Sequence, residues 1–103
     1  MSLESGPVRA TLTMTVRPGD SPAFERAWSA VAGWARSQQG CLRQALCRLA
    51  AAEPTYVITS DWADLMAFRA FEGSSEQDVA TAELRRLRQS ARMEVLALVA
   101  HVE

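Results

Sequence analysis

Apolar and polar positions alternate from the first ordered stretch of the chain. Between Val8 and Arg17, Thr11, Thr13 and Thr15 interleave with Ala10, Leu12, Met14 and Val16, the period of two that marks a strand with one apolar face. Pro18-Gly19-Asp20 ends it, and Ser21 as N-cap with Pro22 as first helical residue predicts a helix at once. Phe24, Trp28, Val31 and Ala35 then fall on one helical stripe, and Gly40 stops the helix. From Cys41 to Leu49 the alternation is less regular: Leu42 and Leu46 share a parity with Gln44 and Arg48, and Cys41, Ala45 and Cys47 share one with Arg43. A turn over Ala50 to Pro54 leads into Thr55 to Trp62, a β-branched and aromatic strand. Asp64 caps a short helix from Leu65 to about Glu72, and Ser74 or Ser75 caps a second that runs toward Arg92 through Val79, Leu84, Leu87 and Ala91. Met93 to Val102 is almost continuously apolar and predicts a final strand.

The order β-α-β-β-α-β predicts a ferredoxin-like α+β domain, a four-stranded antiparallel sheet with helices on one face. The other face carries Thr11, Thr13, Thr15, Thr55, Val57 and Thr59, too apolar and β-branched for full exposure. Stacking two such sheets hides both, so a homodimer is expected. Residues 8–103 form the domain, and residues 1–7 read as a disordered tail with no charged-then-apolar leader.

Composition narrows the chemistry. A chain of 103 residues, 49% hydrophobic and 22% charged, suits one globular domain. The net charge of -1 leaves no basic surplus for nucleic acid or an anionic membrane. No apolar run reaches the roughly 18 to 20 residues of a membrane span, which predicts a soluble, cytoplasmic protein. Every basic side chain is Arg, so lysine Schiff-base chemistry is excluded. One histidine, His101, excludes two-histidine metal sites.

By alternation Tyr56, Ile58, Ser60 and Trp62 face the helices, joined there by Leu12, Met14 and Val16. A cleft between that face and the helices suits a flat apolar ligand, with Trp62 offering a stacking surface and an indole N–H. The same pattern fits a core tryptophan. His101, with Val95, Ala97 and Val99, reads as structural or as a proton-abstracting base. Arg85, Arg86 and Arg88 read as a solvated face from which one guanidinium turns inward. Cys41 and Cys47 lie too far apart along a strand to bridge and read as buried thiols. Trp28 and Trp34 read as helix core or dimer contacts.

A strand ending in PG, a helix, GCL and then YVITSDWADLMAFRAF resembles the antibiotic biosynthesis monooxygenase family across Val8 to Val102. The carriers are Tyr56, Trp62 six residues on, and Asp64, Ala67 and Phe68 in the following helix. The resemblance implies a dimeric α+β barrel and oxygenation of an aromatic polyketide by O2 without cofactor or metal. Trp62 then orients the substrate. Asparagines that members of that branch often carry are replaced here by Ile58 and Leu12, and a tyrosine by Phe68. Gln44, Ser60 and Tyr56, or an arginine of the last helix, are left to supply polarity. Haem degradation, which needs a histidine on the later helix, is excluded, and the histidines of quorum-signal-processing relatives are also missing.

Three readings follow: an anthrone-type oxygenase with Trp62 as the catalytic residue and a pocket of Leu12, Met14, Gln44, Tyr56, Ile58, Ser60 and Phe68; a polyketide-binding cyclisation helper of the same fold; and a structural dimer without a pocket.

Overall fold

A computed structural model describes residues 6–50, 53–100 and 102. Strand β1 (Val8–Val16) leads through a 3-10 turn at Pro18–Asp20 into helix α1 (Ser21–Ala35). Strands β2 (Cys41–Arg48) and β3 (Thr55–Trp62) form a hairpin, followed by helices α2 (Leu65–Glu72), α3 (Ser75–Ala80) and α4 (Ala82–Leu87) and strand β4 (Arg88–Ala97). The sheet is four-stranded in the order β2-β3-β1-β4, with antiparallel neighbours throughout. This is the ferredoxin-like arrangement expected from the element order.

Helices α1, α2 and α4 bury the sheet face that carries the even-numbered residues of β1 and β3. Its core falls into two groups. Met14, Val16, Phe24, Tyr56, Leu84 and Leu87 pack at one end, and Val8, Ala10, Trp62, Leu65 and Phe68 at the other. Between them the floor is formed by Leu12 and Ile58, which pair across β1 and β3 and are only half-buried.

Local chemistry places the helices. The Asp64 carboxylate accepts the Ala67 N–H at 2.8 Å and the Ser74 hydroxyl accepts the Gln77 N–H at 3.0 Å, so Asp64 and Ser74 are the caps of α2 and α3. Ser21 is not a cap: α1 already includes it, Asp20 holds the cap position, and the Ser21 hydroxyl is buried without a hydrogen-bond partner among the described residues.

Three further expectations are corrected. The second helix does not run to Arg92. It breaks at Thr81 into α3 and α4, and β4 begins at Arg88 because pairing with β1 recruits the polar stretch Arg88–Arg92 into the ladder. The apolar end, Leu98 to Ala100, lies outside the strand. A register shift between Cys41 and Arg43 puts Cys41 opposite Trp62 and Arg43 opposite Asp61. That bulge turns Cys41 toward the Trp62 group and Cys47 to the opposite face, where it is exposed. The thiols therefore share neither a face nor full burial; burial pushes the Cys41 thiol up in pKa, with the Asp61 charge adding to the rise. Residues 1–5 of the expected tail, and His101, lie outside the described residues. Among the described residues, no helix is long and apolar enough to cross a membrane.

Candidate functional site

The gap between the two core groups is a cavity of about 90 Å³. Its sheet wall is Ala10, Leu12, Gln44, Ile58, Ser60, Trp62 and Met93; its helical wall includes Trp28, Val31, Phe68, Phe71, Gln77, Thr81 and Leu84. Of the residues predicted from sequence, Leu12, Gln44, Ile58, Ser60, Trp62 and Phe68 meet here.

Trp62 is fully buried, and its ring lies 4.6 Å from that of Phe71 and 6.1 Å, edge-on, from that of Phe68. Its indole N–H donates to the Ser60 hydroxyl at 2.9 Å. Trp62 is thus a core residue and a cavity wall together. Gln44 stands opposite Ser60 across β2 and β3, and its side-chain N–H donates to the Ala32 carbonyl at 3.0 Å. No residue of this lining carries a charge, so the cavity presents only neutral donors and acceptors beside aromatic and aliphatic surface.

Met14 and Tyr56 lie elsewhere. Met14 borders a second cavity of about 250 Å³, which shares Leu12, Gln77, Thr81, Leu84 and Met93 with the first. Those residues are a wall common to both, and the two volumes together reach the lower end of the ~300 Å³ that small-molecule sites occupy. The second one also has Arg85 and Arg88 in its lining, with Glu72. Arg88 is half-buried there, whereas Arg85 is exposed and donates to the Asp78 carbonyl, and Arg86 pairs with Glu83 at the surface. Tyr56 packs in the other core group, its ring stacked 4.8 Å from Phe24 and its hydroxyl donating to Glu25 at 2.5 Å. Burial, reinforced by Glu25, lifts its phenol above the usual range.

Gln77 and Thr81 line the cavity but escaped the sequence reading, and Trp28, read there as helix core or a dimer contact, lines it too. Gln77 and Thr81 are spaced four apart, a polar pair on one helical face, and that spacing was their available signal. Trp28 lies on the α1 stripe, where periodicity alone does not separate core from pocket. Trp34 instead packs on Phe71 at 5.5 Å. Among the described residues no three His, Cys, Asp or Glu side chains gather as a metal site requires.

Fold and cavity together define a small two-layer α+β domain with an internal apolar site. The family model of the antibiotic biosynthesis monooxygenases matches residues 7–83. The chain belongs to that family. No curated protein sequence matches it significantly. Among solved structures it is similar to an N63A mutant of SnoaB, a cofactor-independent oxygenase from Streptomyces nogalater, with a TM-score of 0.82 at 24% identity over 93% of this chain and 96% of that one. Rv0793 from Mycobacterium tuberculosis gives a TM-score of 0.80 at 20% identity, covering 95% of this chain and 100% of its own. At these identities the likeness is one of fold.

Proposed function

We propose that this protein is a cofactor-independent monooxygenase that oxidises an anthrone-type aromatic polyketide intermediate to a quinone with O2. The observation that carries the reading is the uncharged, aromatic-walled cavity closed by Trp62, in a chain of this family. In this chemistry the substrate loses a proton from its activated ring carbon, and the carbanion transfers electrons to O2. A carbon hydroperoxide forms and eliminates water, so one oxygen atom becomes the quinone carbonyl and the other leaves as water. The ring is its own reductant. The protein holds the ring flat, favours its anion with fixed dipoles and keeps water from diverting the hydroperoxide. Leu12, Ile58, Phe68 and Trp62 provide the ring contacts; Gln44 and Ser60 provide polarity. The uncovered sheet face supports a homodimer as the working assembly.

A second reading, a polyketide-binding cyclisation helper, is favoured by the same observation from another side: Leu12, Ile58 and Phe68 leave the lining without charge or a protonatable base.

Oxygen uptake separates the two. Protein freed of metal and flavin is mixed with anthrone in air, and uptake and quinone absorbance are followed against a no-protein blank. Uptake well above the blank, reduced at least ~10-fold in Trp62→Phe, is expected of the oxygenase. Quenching of tryptophan fluorescence by anthrone without excess uptake would favour the helper.

A further inference from the structure

We infer that Ser60, rather than Trp62, is the group that touches the ionised oxygen of the substrate, and that Trp62 is a positioning residue acting through it. The inference rests on the oxygenase reading above. An indole carries one N–H and no acceptor, and that of Trp62 already donates to the Ser60 hydroxyl at 2.9 Å. The ring has no freedom to redirect it: Trp62 is 0% exposed and lies against Phe68 and Phe71. Swinging its N–H toward a ligand would break both aromatic contacts.

Ser60 is the reverse case. It is half-buried on the cavity wall, and its oxygen accepts from Trp62, which leaves its own O–H as a donor. Among the described residues no hydrogen bond takes up that O–H. Ala10 and Gln44 flank Ser60 on the neighbouring strands, and all three line the cavity. Of the other donors in the lining, one Gln44 N–H goes to the Ala32 carbonyl and the Thr81 hydroxyl goes to the Gln77 carbonyl at 2.8 Å, and only the amides of Gln44 and Gln77 keep N–H groups beside the Ser60 O–H. A hydroxyl whose oxygen accepts a hydrogen bond becomes a stronger donor. With no charged side chain in the lining, such a neutral donor is what can stabilise a phenolate or enolate there.

The substrate class sharpens accordingly. It is an aromatic ring with an ionisable hydroxyl or enol oxygen placed to meet the sheet wall, and a ring lacking that oxygen leaves the Ser60 donor unanswered. The position fits the departures in this sequence, since polarity missing at Ile58 is restored two residues along the same strand face.

The test uses 2-hydroxyanthraquinone, already at the quinone level, whose phenolate has its own visible band. Its ionisation is titrated free and bound to wild type, Ser60→Ala, Ser60→Thr, Trp62→Phe and the Ser60→Ala/Trp62→Phe double variant. Bound to wild type the phenol should ionise at lower pH than on Ser60→Ala by about one pH unit, and Ser60→Thr should restore the wild-type value. Trp62→Phe should give part of the shift and add nothing to Ser60→Ala. Equal ionisation on wild type and Ser60→Ala overturns the assignment while leaving oxygen uptake to judge the oxygenase reading separately. A Trp62→Phe shift that adds to that of Ser60→Ala overturns it as well, because the indole would then act directly. A probe that does not bind wild type overturns the cavity reading and this inference together.

Discussion

Asp61 precedes Trp62 and points to the opposite side of the sheet, where strands on both sides reach it. Arg9 from β1 holds its carboxylate with two bonds, at 2.7 and 2.9 Å, and Arg43 from β2 adds a third at 2.8 Å. The Asp61 side chain is 1% exposed, whereas those of Arg9 and Arg43 are 38% and 54% exposed. Arg9 first, then Arg43, holds the carboxyl below its usual range against the opposing effect of burial. A carboxylate with a lowered folded pKa contributes stability above its unfolded pKa, near 3.9, and loses that contribution as pH falls through the folded value. Melting temperature should therefore fall steeply below about pH 4 in wild type, and Asp61→Asn should lack that component. At neutral pH Asp61→Asn should cost about 2–3 kcal/mol by denaturant unfolding, less than a wholly buried pair because both guanidinium groups reach water. None of this was legible in the sequence. Regular alternation grouped Arg43 with Cys41, and the bulge that puts Arg43 opposite Asp61 becomes visible only when the strands are paired.

At the scale of elements, the turn between α1 and β2 is the tightest point. Gly40 has φ +85°, and a Cβ placed there would stand 2.5 Å from the Ala67 Cβ of α2. The residue is needed twice, for a left-handed backbone and for close approach of a helix. Gly40→Ala should destabilise by about 2–4 kcal/mol. Adding Ala67→Gly should recover the steric part and leave the backbone part, which denaturant midpoints of the single and double variants would resolve. A much smaller loss in Gly40→Ala would mean that α2 does not sit this close. The sequence identified Gly40 as a helix stop, from local chemistry, but not its contact with α2, which is a matter of packing. The early end of α4 has the same origin: Leu84 and Leu87 follow helical spacing, yet pairing with β1 draws Arg88 onward into a strand.

For the whole molecule, the helix-free face carries Thr11, Thr13, Thr15, Thr55, Val57 and Thr59, all half-buried in a single chain. On β4, Leu96, opposite Arg9 on that same face, is 45% exposed. A second copy packed face to face would cover the strand face, and a stable pair buries about 800 Å² per partner. Sedimentation should give a dimer at micromolar concentration, and Val57→Glu, which would bury an unpaired charge, should shift it to monomer with an unchanged far-ultraviolet spectrum. A wild-type monomer at those concentrations would refute the dimer.

The sequence by itself determined the order of strands and helices, the faces of β1, α1 and β3 and the cap at Asp64, and thereby the α+β class and the family resemblance. These features follow from periodicities of two and 3.6 and from backbone donors needing local acceptors, all within a few residues of one another. Tertiary structure alone decided which members of a face meet. Leu12, Gln44, Ile58, Ser60, Trp62 and Phe68 share one cavity, while Tyr56, on the same strand face as Trp62, lies in the other core group. It alone also brought in Trp28, Gln77 and Thr81, joined the Trp62 indole to Ser60, and set Asp61 between two arginines. The physical reason is that alternation gives a side chain its side of the sheet, but strand register, the bulge at Cys41 and Arg43, and the seating of helices determine its neighbours.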